Sequence, residues 1–272
     1  TCFNILKRKN MLHKLHSLHK LHPVVVEAKK KEEDNIEVNQ IQNNNKTNKS
    51  KFKVLLFGGA DFFNDGTYGT NLKLAEYLEI LANSEKYKIP LQKGDIRIVN
   101  SPIFGNEPDG KDIYKEIIKI IKVNFDLSNG ILILYGYSWG GQLLMEFLKY
   151  FKNDNIKINL LITIDAAKGP VSFAVNNDVT SNVKENLNVF QTTPSPILSY
   201  GSANEGSNVK NIDLTDEKNS KGEKIVHSNI DEYTLLYCCQ IILYALKNNY
   251  KFKNRSESQI KKDIKLYETT GY

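Results

Sequence analysis

The stretch Ile131-Leu132-Ile133-Leu134-Tyr135-Gly136-Tyr137-Ser138-Trp139-Gly140-Gly141 governs how the rest of the chain is read. Its first five residues are apolar throughout, the pattern of a strand covered on both faces. Leu143, Leu144, Phe147, Leu148 and Phe151 follow at helical spacing. The intervening Gly136-Tyr137-Ser138-Trp139-Gly140 fits G-x-S-x-G in the strand–turn–helix setting that gives this pattern its meaning. A serine on so sharp a turn sits on a strained backbone, and small flanking residues let strand and helix approach. The helix start also favours negative charge developing nearby.

On the N-terminal side, Lys53-Val54-Leu55-Leu56-Phe57 reads as a buried strand ending at Gly58-Gly59. Leu74, Ala75, Leu78, Leu81 and Ala82 mark one face of a helix, and Asp95 to Val99 a second strand. Ile113, Ile117, Ile118 and Ile121 stripe the next helix. On the C-terminal side, Leu160 to Ile164 is a strand, Leu187 to Phe190 and Ile212 to Leu214 are shorter candidates, and Asp231 to Leu246 is a closing helix. Ser228 with Asp231 resembles a capping box at its start. Strands alternating with helices predict an α/β fold: a mostly parallel central sheet with helices on both faces.

Charge and composition divide the 272 residues into three segments. Residues 1–50 hold ten Lys/Arg against five Asp/Glu, residues 251–272 hold six against three, and residues 51–250 carry a net charge of −2. The overall +6 therefore belongs to the ends. Lys29 to Ser50 has Ile36, Val38 and Ile41 as its apolar residues among Lys, Glu, Asn and Gln, too little to offset the entropy of ordering. The expected organisation is a low-complexity, largely disordered segment at 1–50, a folded domain at 51–250 with little room for a separate cap, and a basic tail at 251–272 that can form a short helix.

The Leu-His repeat at Leu12-His13, Leu15-His16, Leu18-His19 and Leu21-His22 could chelate a metal on a helix, but lacks an acidic or cysteine partner and reads as low complexity. No apolar core follows Lys7, Arg8 and Lys9, so no secretory signal is read. No apolar stretch approaches the roughly 18 residues of a membrane span. The chain starts at Thr1, and its compartment is left open between the cytoplasm and export as part of a larger chain.

A serine hydroxyl needs a base to act as a nucleophile, and histidine suits that work near neutral pH. Four of the five histidines lie in the repeat, so His227 is the candidate base. A carboxylate must then hold the imidazole. Asp165 ends the strand Leu160 to Ile164, at the carboxyl edge where such sheets place their functional groups. Asp165 is favoured because a strand-end aspartate after an apolar run points into the site; the alternative role for it is a helix N-cap. Its rivals are Asp213, at the end of a late strand, and Glu205, in a loop; Asp178 also lies between serine and histidine. Activity resting on His227 should fall as acid protonates the ring, and flat activity from about pH 5 to 8 would contradict it.

These residues resemble the α/β-hydrolase superfamily on its serine esterase and lipase side. Gly136-Tyr137-Ser138-Trp139-Gly140 looks like its nucleophile elbow, and Ser138, Asp165, His227 follow its chain order. Asp165-Ala166-Ala167-Lys168-Gly169-Pro170 loosely resembles the acid segment of lipases that carry the acid after the strand following the nucleophile helix; the family more often places it one strand later. The resemblance covers about residues 52–248 and implies an oxyanion hole from the amides of Trp139 and, after the first strand, Ala60. It implies cleavage of carboxylic esters, of lipid or other acyl type, through an acyl-enzyme. A thioesterase or acyltransferase on the same residues and a non-catalytic binding protein are the alternatives. No cofactor, metal or nucleic-acid partner is expected. Phe173, Val175 and Tyr200 are candidates for an apolar acyl site. The basic tails, with Ile260, Ile264 and Tyr267 on one helical face, could make weak contact with an anionic membrane surface.

Overall fold

The computed structural model describes residues 49–58, 67–99, 110–167, 176–193 and 200–271. The Leu-His repeat, the segment 29–48, Gly59, Ala60, Lys168-Gly169-Pro170, Phe173 and Val175 lie outside the described residues.

Six strands form one parallel sheet: β1 (Phe52–Phe57), β2 (Ile96–Val99), β3 (Ile131–Tyr137), β4 (Leu160–Ile164), β5 (Asn186–Phe190) and β6 (Val209–Asp213), in the order β2-β1-β3-β4-β5-β6. The described helices are α1 (Thr67–Ala82), α2 (Gly110–Lys122), α3 (Trp139–Asn153), α4 (Ile230–Ala245) and α5 (Glu257–Thr270), with a short 3-10 turn at Lys251–Asn254. The central strands are buried at nearly every position and mostly apolar because helices cover both sheet faces. Leu55, Phe57, Leu132, Leu134 and Leu161 join α2 and α3 in one core cluster. Alternate residues such as Val54, Leu56, Ile133 and Ile162 point to the opposite face and are equally buried. There α1 and α4 pack on the sheet and on each other.

The strand β5 departs from this pattern. Asn186 and Asn188 share one face of the strand and are fully buried. Instead of meeting an apolar helix, they meet a loop. Asn204 Nδ2 donates to Thr163 Oγ1 and Asn186 Oδ1, both at 3.1 Å. Asn188 Nδ2 donates to Ser202 O and to Asn211 Oδ1, both at 2.8 Å, and Asn211 Nδ2 donates to Asn204 O at 2.9 Å. A buried amide left unpaired costs about 1–3 kcal/mol, so these partners make the polar strand tolerable. The network fastens Ser202 and Asn204 over one face of β4, β5 and β6.

Two expectations need correction. The compact unit does not end at residue 250 but runs from Lys49 to Thr270. Ile260 and Ile264 are fully buried, and Tyr267 stands beside Tyr237 at 6.2 Å between ring centroids. Burying each isoleucine contributes about 1.5–3 kcal/mol, enough to dock a helix that composition reads as a solvated tail. The face proposed to meet a membrane is therefore covered by α4. Lys253, Arg255 and Lys261 are likewise paired with Glu185, Asp263 and Glu257.

The second correction is the capping box. Asn229 is the N-cap of α4 and makes no side-chain cap bond. Asp231 instead turns inward, 5% exposed, with Thr70 and nearby backbone amides as partners. Burial raises its carboxyl above the ordinary value, and these hydrogen bonds only partly oppose that. A carboxyl raised on folding binds its proton more tightly in the native state, so stability is lost as pH rises through the native value. Asp231→Asn should therefore raise the melting temperature at pH 7, with the gain shrinking as pH falls toward the ordinary carboxyl range. Melts from pH 3 to 8 would check this, and a pH-independent loss would refute it.

Among the described residues, no helix is long and apolar enough to cross a membrane.

Candidate active site

Ser138 stands at the carboxyl end of β3, on the sharp turn into α3. Ser138 has φ 54° and ψ −124°, a conformation that costs a non-glycine residue about 1–3 kcal/mol. Backbone bonds hold it there. Ser138 N donates to Ile164 O at 2.9 Å, and Ser138 O accepts from Gln142 N at 3.1 Å and Ala167 N at 3.2 Å. A Cβ on Gly140 would lie 2.4 Å from Gly58 O and 2.6 Å from Phe57 O. Glycine there lets α3 touch the end of β1.

Strand order brings the partners together. The neighbours of β3 are β1 and β4, so the residues leaving those strands flank Ser138. Asp165 leaves β4 with φ 44°, in the left-handed region that aspartate tolerates better than most residues. It opens no helix among the described residues and is fully buried, so it is not the helix N-cap considered as the alternative. Asp213 ends β6, two strands further on, which at about 4.8 Å per strand is roughly 10 Å from the end of β4. Its carboxylate accepts from Thr215 N and Thr215 Oγ1. Glu205 and Asp178 are exposed, their segments pairing through backbone.

His227, three residues before α4, completes the contact. Its Nε2 lies 2.8 Å from Ser138 Oγ, and its Nδ1 lies 2.7 Å from Asp165 Oδ2. Burial deepens along the row: Ser138 is partly exposed, His227 is 6% exposed and Asp165 is fully enclosed. The geometry suits an Nδ1–H donating to the carboxylate and an Nε2 accepting the serine proton. Such a row lets a serine oxygen attack an electrophile as its proton passes to the ring.

Three further residues shape the row and were not singled out by sequence. Tyr137 hydroxyl donates to His227 O at 2.6 Å, and its ring stacks on the imidazole with centroids 5.4 Å apart. Gly201 N donates to Asp165 Oδ1 at 2.8 Å. Gln191 donates from its backbone N to Oδ1 at 3.0 Å and from Nε2 to Oδ2 at 2.9 Å. The available signals were faint: a polar residue at the carboxyl end of β5 and a glycine in a long loop.

Gly201 yields a sharp expectation. A Cβ there would stand 2.5 Å from Asp165 Oδ1 and 3.0 Å from its Cα. Gly201→Ala must push the carboxylate off His227. A misplacement near 1 Å costs about 10²-fold in rate. Reaction of Ser138 with a fluorophosphonate should slow by that order, and an unchanged rate would show that the loop yields instead.

Trp139 opens α3, so its amide stands at the positive end of the helix dipole, beside Ser138. Ala60 lies outside the described residues, and its proposed oxyanion role is untouched by the described geometry. Tyr200 is 39% exposed beside Gly201. Cys238 is fully buried in α4 and burial pushes its thiol up to about 12, so it offers no thiolate.

The parallel sheet, its strand order and a strained serine on the turn between β3 and α3 define an α/β-hydrolase fold. No family model matches the chain, and no curated protein matches it. Among solved structures it is similar to an α-β serine hydrolase homologue from Coxiella burnetii, at 12% identity over 75% of this chain and 87% of that one, with a TM-score of 0.41. It is also similar to Aspergillus fumigatus lipase B, at 12% identity over 79% of this chain and 57% of that one (TM-score 0.45). Phospholipase PlaB from Legionella pneumophila, in complex with thio-NAD, is 13% identical over 80% and 63% (TM-score 0.44).

Proposed function

We propose that the protein is a serine hydrolase that cleaves carboxylic ester bonds, with a lipid or other acyl ester as substrate. The observation that carries this is the unbroken row from Ser138 Oγ through His227 to the buried Asp165, at 2.8 and 2.7 Å. Ser138 Oγ attacks the ester carbonyl carbon while His227 Nε2 takes its proton. Asp165 accepts from Nδ1 and stabilises the imidazolium. The amide of Trp139, with Ala60 as second donor, holds the oxyanion. As the tetrahedral intermediate collapses, His227 gives its proton to the departing alkoxide and an acyl-serine remains. Water, deprotonated by the same imidazole, releases the acid and restores the serine.

The test is a series of p-nitrophenyl esters of increasing chain length, assayed with wild type, Ser138→Ala, Asp165→Asn and Asp213→Asn. The proposal expects turnover by wild type and by Asp213→Asn, loss in the other two, and a chain-length preference that reports the acyl site. A fluorophosphonate that labels Ser138→Ala as fast as wild type, or labels neither, would sink it.

A further inference from the structure

The carboxylate of Asp165 accepts four hydrogen bonds. Gln191 N and Gly201 N occupy Oδ1, while Gln191 Nε2 and His227 Nδ1 converge on Oδ2. An ionised carboxylate has about four lone-pair sites, so all of them are filled by donors. A proton on Asp165 would have no acceptor to face. Two of these four donors come from one residue, which is fully buried.

The direction of the Gln191 carboxamide is set independently. Its Oε1 accepts from Thr193 N at 2.7 Å, so a flip would set oxygen against oxygen at Asp165 and N–H against N–H at Thr193. Residues 191–193 thus act as a bracket: the turn after β5 fixes the amide, and the amide fixes the acid.

Building on the serine-hydrolase reading, we propose that Gln191 is a positioning residue for the Asp165–His227 pair. Its carboxamide holds the Asp165 carboxylate with Oδ2 aimed at His227 Nδ1. Through that contact it keeps the ring in the tautomer whose Nε2 can accept the serine proton. It touches no reacting atom and acts only through the acid.

Gln191→Glu and Gln191→Met separate this role from packing. Glutamate has nearly the same shape, but its carboxylate would lie against Asp165, and two carboxylates that close cannot both ionise. The other charged groups nearby are His227, across the shared oxygen, and Asp213, whose carboxylate is turned onto Thr215. Gln191→Glu should work while the pair holds a proton and lose about tenfold or more in kcat as pH rises from 7 to 10, where wild type does not. Gln191→Met, with no donor, should lose about tenfold or more at every pH with KM little changed, since an unfixed tautomer slows proton transfer and not binding. Both variants within twofold of wild type across that range would overturn the proposal.

A second readout does not depend on turnover. In protein labelled with 15N-histidine, the His227 Nδ1 proton, identified by its absence in His227→Gln, should shift or vanish in Gln191→Met. An unchanged resonance overturns the positioning role even if the protein cleaves no ester. Absence of wild-type turnover and labelling, with that resonance displaced in Gln191→Met, would instead overturn the hydrolase reading and leave the bracket standing.

Discussion

Replacing Ser138 with alanine should lower kcat for the proposed ester hydrolysis by about 10⁵- to 10⁶-fold, the loss seen when a triad serine is removed from a working site. The magnitude follows from what the side chain does. Without Oγ there is no acyl-serine, and the imidazole 2.8 Å away has no proton to accept. His227→Ala should cost a comparable factor, and the double variant little more, because the two groups act as one unit. Steady-state kinetics on the three variants decide this. Losses that multiply in the double variant would show that the two residues act independently. The fold should not suffer: Ser138 is held by its backbone bonds to Ile164, Gln142 and Ala167, which alanine retains.

Replacing Gly140 with alanine destabilises the whole domain. The added Cβ would meet Gly58 O at 2.4 Å and Phe57 O at 2.6 Å, and both obstacles are backbone. No flexible side chain can swing away, so β1 or α3 must move. Overpacking of this kind costs about 3 kcal/mol, at the upper end of its usual range, which lowers the melting temperature by roughly 6–12 °C in a domain of this size. Gly136→Ala meets Gly141 Cα and N at 2.7 Å and should behave alike. A melt within 2 °C of wild type for Gly140→Ala would contradict the close contact between strand end and helix. The glycines of the motif are thus explained by distances, independently of any activity.

Much of the fold was legible because burial leaves a periodic trace. The strands Phe52–Phe57, Ile131–Tyr137 and Leu160–Ile164 are apolar runs since both of their faces are covered. The strand Asn186–Phe190 was only partly legible, because its asparagines are satisfied by Thr163, Asn204 and Asn211 rather than by an apolar surface. The helix Glu257–Thr270 reads from sequence as a basic tail with at most a short helix, because two buried isoleucines are outnumbered by charged residues on its other faces.

The site shows the same division. By itself, the sequence determined that a serine stands on a glycine-flanked turn between an apolar strand and an amphipathic helix, since local sterics and periodicity are written in adjacent residues. It also left a single histidine beyond the N-terminal repeat. Only the tertiary structure decided which carboxylate meets that histidine, because Asp165 and His227 are 62 positions apart and their distance is set by strand order. It alone placed Gln191 and Gly201 on the acid, for a hydrogen bond of 2.8 or 2.9 Å depends on how the turn after β5 and the loop at 201–204 are fastened. Those fastenings are contacts between distant segments, which carry no period along the chain.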